Sequence, residues 1–242
     1  MFQDHLYLKL MRRFSLIFLT VMLIHLTLSS QELPKGMVRY TPEFRFADGI
    51  YLAYSQLKSN SPVPVARVLS DTEPNDPDFF TKLLEEKQIS YFDDFGVQQS
   101  VPVEKIWGFS RNGVVYIRIG GNFSRVTVIG SICHFVANIT TYNSRYYDPY
   151  YYNPYYYRYS ATPSTTSTTE MRQYLLDFET GKILDYDTQG VEVLLMKDPE
   201  LYDEFAALNN KKKKQMKFLY IRKFNERNPL FIPEKQINTI IP

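Results

Sequence analysis

Residues 103–138 constrain the fold more than any other part of the chain, because glycine turns divide them into strand-length pieces. They hold the only tryptophan and the only cysteine of the chain and are rich in β-branched and aromatic residues, which favour strands. Asn112-Gly113 separates two apolar runs, and these two residues tolerate the positive φ values of a tight hairpin turn. Gly120-Gly121 marks the next turn. The stretch therefore predicts an antiparallel β-meander.

Alternation along the first strand of this meander predicts which side chains share a face. Successive strand residues point to opposite sides of a sheet. Trp107 and Phe109 are therefore expected on one face, and Ile106 and Ser110 on the other. The first of these faces should carry most of the aromatic packing.

The single cysteine, Cys133, is interpreted as a buried apolar residue of the same meander. With one cysteine, no intramolecular disulfide can form. His134 follows it directly, so the two side chains should lie on opposite faces of the strand. This arrangement excludes a thiolate activated by a neighbouring imidazole.

The remaining pattern predicts an α+β fold. Short helices are expected at residues 55–60 and 76–87, and further strands at 89–93, 97–103, 172–178 and 182–186. Asp198-Pro199-Glu200 has the composition of a helix start, and a second C-terminal helix is expected to end near Asn228. Residues 191–196 fit either a strand or the entry to a helix. The prediction is one antiparallel β-meander sheet with short N-terminal helices and two C-terminal helices, in a single domain of residues 46–242 preceded by an extended lead-in at 31–45.

Residues 1–30 have the pattern of a signal peptide. Arg12-Arg13 precedes an apolar run of residues 14–28, which is short for a membrane span. Cleavage is expected after Ser29 or Ser30, leaving no transmembrane span, and an uncleaved anchor is the alternative. Without this leader, acidic and basic residues are equal in number. The balance gives no electrostatic case for nucleic acid as a partner.

A tyrosine-rich segment interrupts the predicted sheet. Ten of the 20 tyrosines lie between residues 142 and 159, and a Ser/Thr-rich run follows to residue 169. This bias predicts a disordered insert at 142–169 between two strands. Tyrosine makes a large contact area at low entropic cost, so the insert is also the predicted binding surface. Its candidate binding residues are Tyr147, Tyr151, Tyr152, Tyr155 and Tyr156. A passive, variable insertion is the alternative.

Several motifs resemble a family of uncharacterised exported proteins from Bacteroidota. They are the run from Asp48 to Leu52, Asn60-Ser61-Pro62, the run from Ile106 to Phe109, and the run from Val128 to Phe135. The resemblance covers roughly residues 46–229, with the tyrosine-rich insert aside. It implies a bacterial envelope compartment, the periplasm or the outer-membrane surface, and no particular activity.

No catalytic residue, metal site or cofactor is predicted. One histidine remains after the leader, which excludes a His-rich metal site and a serine triad. Carboxylates cluster at Asp93-Asp94, at Asp185 and Asp187, and at Asp203-Glu204, where turns and helix surfaces account for them. A hydrolase acting on an envelope polymer is the alternative function that these carboxylates leave open.

The predicted function is that of an exported, non-enzymatic envelope protein. It would contact an envelope protein or a glycan through its surface. The lysine run at residues 211–214 is interpreted as a solvated helix face, with an anionic membrane surface as the alternative partner.

Overall fold

An eight-stranded antiparallel sheet is the centre of the computed structural model, which describes residues 36–143 and 166–234. Its strand order is β12-β11-β10-β9-β8-β7-β2-β3, so β7 to β12 form a continuous meander. A second sheet has the order β4-β5-β6, and β1 pairs with β13. The strands are β1 (Met37–Arg39), β2 (Gly49–Tyr51), β3 (Val63–Pro64), β4 (Val68–Leu69), β5 (Gln88–Phe92), β6 (Gln98–Pro102), β7 (Gly108–Arg111), β8 (Val114–Ile119), β9 (Asn122–Val128), β10 (Ile132–Asn143), β11 (Thr166–Asp177), β12 (Ile183–Asp185) and β13 (Phe231–Pro233).

Five α-helices are found in the described residues. They are α1 (Tyr54–Lys58), α2 (Phe79–Glu85), α3 (Thr188–Leu195), α4 (Pro199–Ala206) and α5 (Asn210–Arg227). The α+β class, the β-meander and the two C-terminal helices α4 and α5 are confirmed. Residues 191–195, for which the sequence fits either a strand or a helix, belong to helix α3. The Asp187 carboxylate caps this helix by accepting a hydrogen bond from Gly190 N–H. Within residues 36–143 and 166–234, every helix is too short or too polar to cross a membrane.

The hairpin between β7 and β8 has the predicted Asn-Gly turn, with φ of 53° at Asn112 and 74° at Gly113. The Asp48 carboxylate also accepts a hydrogen bond of 2.9 Å from Gly113 N–H. Asn112→Ala is expected to lower the free energy of unfolding by about 1 kcal/mol, because a Cβ-bearing residue other than Asn or Asp is strained at this φ. Asn112→Gly should unfold at nearly the wild-type urea concentration. Equal destabilisation by both substitutions would mean that the Asn112 side chain, not its backbone conformation, stabilises the turn.

The predicted faces of the first meander strand are wrong at two positions. Ile106 is buried in the same cluster as Phe109, whereas Trp107 packs in the cluster on the other side of the sheet. The reason is that β7 begins only at Gly108. A 3-10 turn at Val103–Lys105 precedes it, and the two residues that join the turn to the strand do not follow the alternation of the strand.

Two layers of core lie on the two sides of the sheet. On one side, which we call the inner face, Ile117, Phe135 and Leu176 pack with α1 and with residues near both ends of the described chain. On the other side, α3 to α5 cover Ile132 and Leu175, and α2 with β4 to β6 covers the region of Phe109. Cys133 is buried on the inner face as predicted, and burial raises its pKa to about 12, so the thiol stays protonated.

Regular structure extends beyond the predicted boundaries at two places. Residues 37–39 of the predicted lead-in form β1, and Tyr40 and Phe44 pack on the inner-face core. Strands β10 and β11 are twelve residues long and continue to Asn143 and from Thr166, so residues 142–143 and 166–169 of the predicted disordered insert are strand. Threonine favours strands, and threonines fill several of these paired positions.

Candidate functional site

The predicted binding tyrosines lie outside the residues that the structure describes. They belong to residues 144–165, which connect β10 to β11; they are Tyr147, Tyr151, Tyr152, Tyr155 and Tyr156. What the structure does describe is the pair of strands from which this segment starts and to which it returns.

The ends of these two strands form a two-stranded extension that we call the arm, residues 138–143 and 166–171. The pairing is regular from Asn138↔Met171 to Asn143↔Thr166. Thr140 and Thr169 share a cross-strand hydrogen bond of 3.0 Å between their hydroxyls. Side chains 167–171 are all exposed, on both sides of the strand, and Met171 is 76% exposed. The β11 half of the arm therefore buries little of its surface, whereas Ile139 of the β10 half packs against the inner-face core.

A second surface lies on the side of the sheet opposite the inner face. It is between the part covered by α3 to α5 and the part covered by α2 and β4 to β6. We call it the arginine face: Arg118 on β8, Arg125 on β9, His134 on β10 and Gln173 on β11. Each of these residues alternates with a buried inner-face neighbour. Arg125, an exposed residue, pairs with Tyr116. The face brings together residues that are up to 55 positions apart in the sequence.

The two arginines of this face form no ion pair within the described residues. Among the described residues, the arginines in ion pairs are Arg67, Arg172, Arg222 and Arg227. Arg118 and Arg125 are not among them. The Arg118 Nε atom is also buried without a hydrogen-bond partner in the described part of the chain. Two cationic groups on one surface thus lack an anionic partner within residues 36–143 and 166–234.

His134 links the arginine face to α5. Its Nε2 atom lies 3.0 Å from Gln173 Oε1, and its ring contacts Tyr186 edge-on at a centroid distance of 4.9 Å. The Phe218 ring of α5 is 6.0 Å away. Lys217 Nζ donates to Tyr186 O at 2.7 Å and lies 3.9 Å from the Tyr186 ring centroid. Burial lowers the pKa of Lys217.

A stack of aromatic rings borders the other end of the arginine face. Phe80, Phe109 and Tyr116 stack with consecutive centroid distances of 4.7 Å. Tyr116 is also the direct cross-strand neighbour of Arg125. Phe80 and Phe109 are buried, so the surface passes from the Tyr116 ring to the two guanidinium groups and then to an imidazole and an amide. This combination is suited to a polar ligand with anionic groups.

Most of the carboxylates that the sequence leaves open as a catalytic pair have structural roles. Asp93 accepts backbone hydrogen bonds from Phe95 and Val97, and Asp94 pairs with Arg67. These bonds hold the pKa of Asp93 below its usual value. Glu204 pairs with Lys223 of α5. In the described part of the chain, no group of three or more metal-ligating side chains occurs.

Asp185 and Asp187 line an open groove of about 390 Å³ beside the edge strand β12, together with Lys182, Gln189 and Val193. The Asp187 carboxylate is already used, because Oδ1 accepts a 2.6 Å hydrogen bond from Gly190 N–H. The two carboxylates do not form an acid and base pair around an enclosed cleft. The groove gives no support to the hydrolase alternative.

The sequence interpretation missed the arginine face. Its signal was nevertheless present, because Arg118 and Arg125 occupy polar positions of two alternating strands joined by a two-glycine turn. The tight turn pairs Arg118 with Phe123 and Tyr116 with Arg125, which places both arginines on one face. Their proximity to His134 and Gln173 depends on the order of four strands.

Comparison with known proteins gives no relative from which to transfer a role. No protein-family model, curated protein or solved structure matches this chain.

Proposed function

We propose that this chain is an exported cell-envelope protein that acts by binding, through the arm and the tyrosine-rich segment attached to it. The envelope compartment rests on the signal-peptide pattern of residues 1–30 and on the resemblance to exported Bacteroidota proteins. The partner is an envelope protein or a glycan, and the contact lies in the periplasm or at the outer-membrane surface.

The observation that carries this proposal is the exposure of the arm. Two paired strands reach past the covered part of the sheet, and side chains 167–171 face solvent on both sides. No strand flanks residues 167–171 on the side away from β10, since β12 pairs only with residues 174–176 of β11. A paired ribbon of this kind adds little to a core but holds the two ends of residues 144–165 together, which suits the presentation of a contact segment.

The tyrosine-rich segment supplies suitable contact chemistry. Each tyrosine offers a rigid ring with only two side-chain torsions and a hydroxyl that can donate or accept a hydrogen bond. The segment has nine tyrosines beyond the end of β10. Their density at one site provides far more aromatic surface than the described arm does.

The proposal is tested by affinity capture from envelope extract with the chain from residue 31 to 242. One variant replaces residues 144–165 by a Gly-Ser linker and keeps the arm. A matched variant keeps the segment length and changes five tyrosines to serine: Tyr147, Tyr151, Tyr152, Tyr155 and Tyr156. We expect both variants to lose the captured partner at least tenfold, because hot-spot aromatic residues carry most of the binding energy of an interface.

A control variant with the same five tyrosines changed to phenylalanine separates ring contact from hydroxyl contact. It should retain most of the partner if ring area dominates. Equal recovery by the wild type and the linker variant would contradict the proposal. The tyrosine-rich segment would then be a passive insertion.

A further inference from the structure

We propose that the arginine face is a binding site for polysaccharides that carry carboxylate groups, with Arg118 and Arg125 as the residues that recognise the carboxylates. This site is separate from the arm and goes beyond the proposed function, because it does not depend on residues 144–165.

One nitrogen of the Arg118 guanidinium lacks a hydrogen-bond acceptor in the described part of the chain. Arg118 Nε is buried without a hydrogen-bond partner in the described residues, and a buried polar group in this state is destabilising. A ligand in solution cannot reach this covered atom, so it meets the terminal nitrogens of the Arg118 guanidinium. A carboxylate has two oxygens whose spacing matches those nitrogens, and within residues 36–143 and 166–234 no ion pair occupies them.

The two arginines lie close together on adjacent strands of the sheet. Arg118 pairs with Phe123 and Arg125 pairs with Tyr116, so the arginines are diagonal neighbours on adjacent strands. Diagonal neighbours lie roughly 7–8 Å apart at their Cα atoms. Two flexible arginine side chains at this separation can bind either one carboxylate together or two successive carboxylates of a repeating polymer.

The position of the arginine face within the sheet excludes a peptide that binds by strand addition. Such a peptide pairs with a sheet edge, where main-chain groups are free. Strands β8, β9 and β10 each have strand neighbours on both sides. A ligand on this face therefore meets side chains only: guanidinium, imidazole and amide groups beside the Tyr116 ring. These groups suit a ligand with many hydroxyls and carboxylates.

Isothermal titration calorimetry with tetragalacturonate tests the proposal on the chain from residue 31 to 242. We expect Arg125→Gln to weaken binding about tenfold or more, since hydrogen bonds to charged groups are the stronger class. The matched control is Arg172→Gln on β11. Arg172 lies on the opposite face, across from the inner-face residue Ala137, and already pairs with Glu170. The Arg172→Gln variant should bind tetragalacturonate as tightly as the wild type.

Three comparisons complete the test. The methyl ester of tetragalacturonate should not bind, because it lacks the carboxylate charge. Arg118→Gln should weaken binding as Arg125→Gln does, and circular dichroism will show whether this half-buried substitution leaves the fold intact. The linker variant lacking residues 144–165 should bind tetragalacturonate normally, which distinguishes this site from the proposed function of the arm.

The proposal is overturned if tetragalacturonate does not bind, if its methyl ester binds equally well, or if Arg125→Gln and Arg172→Gln bind alike. Tighter binding of tetraglutamate than of tetragalacturonate, lost in Arg125→Gln, would overturn it in favour of an acidic peptide as the ligand. Because Arg125 is exposed and its substitution does not disturb the core, each of these results can be interpreted without Arg118→Gln.

Discussion

Replacing Asn225 by alanine is expected to lower the free energy of unfolding by about 3 kcal/mol, because two buried backbone groups lose their partners. The Asn225 side chain accepts a hydrogen bond of 2.8 Å from Ile132 N–H and donates one of 2.8 Å to Ile132 C=O. Asn225 thus takes the place of a strand neighbour at the start of β10 and attaches α5 to the sheet. Alanine has a higher helix propensity than asparagine, which offsets the loss by only about 0.5 kcal/mol. Urea denaturation followed by circular dichroism measures the change.

Asn210→Ala is the matched control, because Asn210 is an exposed residue at the first position of the same helix. It should change the free energy of unfolding by less than about 0.5 kcal/mol.

Gly130 provides a second check of the Asn225 contact. A Cβ atom at Gly130 would lie 2.5 Å from the Asn225 amide nitrogen. Gly130→Ala should therefore be costly in the wild type and much less so beside Asn225→Ala. Additive effects would show that the two residues do not share this contact.

The elements that could be predicted from the sequence are those with local signals. The Asn112-Gly113 turn needs only its own backbone conformation, and the structure has it with both φ values positive. Asp198-Pro199 begins α4 as predicted, and the Asp198 side chain accepts a hydrogen bond from Leu201 N–H. A cap or a two-residue turn depends on neighbours within a few positions, so the pattern is complete in the sequence.

The features that could not be predicted depend on contacts between distant segments. Asn225 lies in a helix rich in charged residues and looks like another solvent-facing position, because its partner Ile132 is 93 positions away. Trp107 was assigned to the wrong face because the end of a 3-10 turn shifted the start of the strand. The proximity of His134 to α5, which borders the arginine face, likewise results from how the C-terminal helices pack on the sheet.

Asp177→Asn is expected to lower the free energy of unfolding by about 2 kcal/mol at pH 7, because it removes the charge from a buried ion pair. Asp177 ends β11, and both of its carboxylate oxygens lie 2.8 Å from Lys197 Nζ. Thr180 Oγ1 and Glu179 N–H also donate to it. The Asp177 side chain is only 7% exposed, so water cannot replace these partners.

The effect of Asp177→Asn should depend on pH in a direction that the ion pair determines. Burial alone would raise the pKa of Asp177, but the hydrogen bonds from Lys197, Thr180 and Glu179 N–H outweigh it and lower the pKa. A carboxyl group with a lowered folded-state pKa stabilises the fold above its unfolded-state pKa, about 3.9, and loses this contribution as the pH falls through the folded-state value. The difference between wild type and Asp177→Asn in urea denaturation should therefore be constant from pH 5 to 7, taken as rough bounds, and shrink below about pH 4.

Glu179→Gln is the matched control for this substitution. Glu179 binds the same lysine, with Oε2 at 2.7 Å from Lys197 Nζ, but its side chain is 70% exposed. Exposed ion pairs contribute little, so Glu179→Gln should cost less than about 0.5 kcal/mol. A loss for Asp177→Asn that is no larger than that for Glu179→Gln, or that stays unchanged at pH 3, would contradict the prediction. Burial of the Asp177 carboxylate would then not explain how this ion pair stabilises the end of β11.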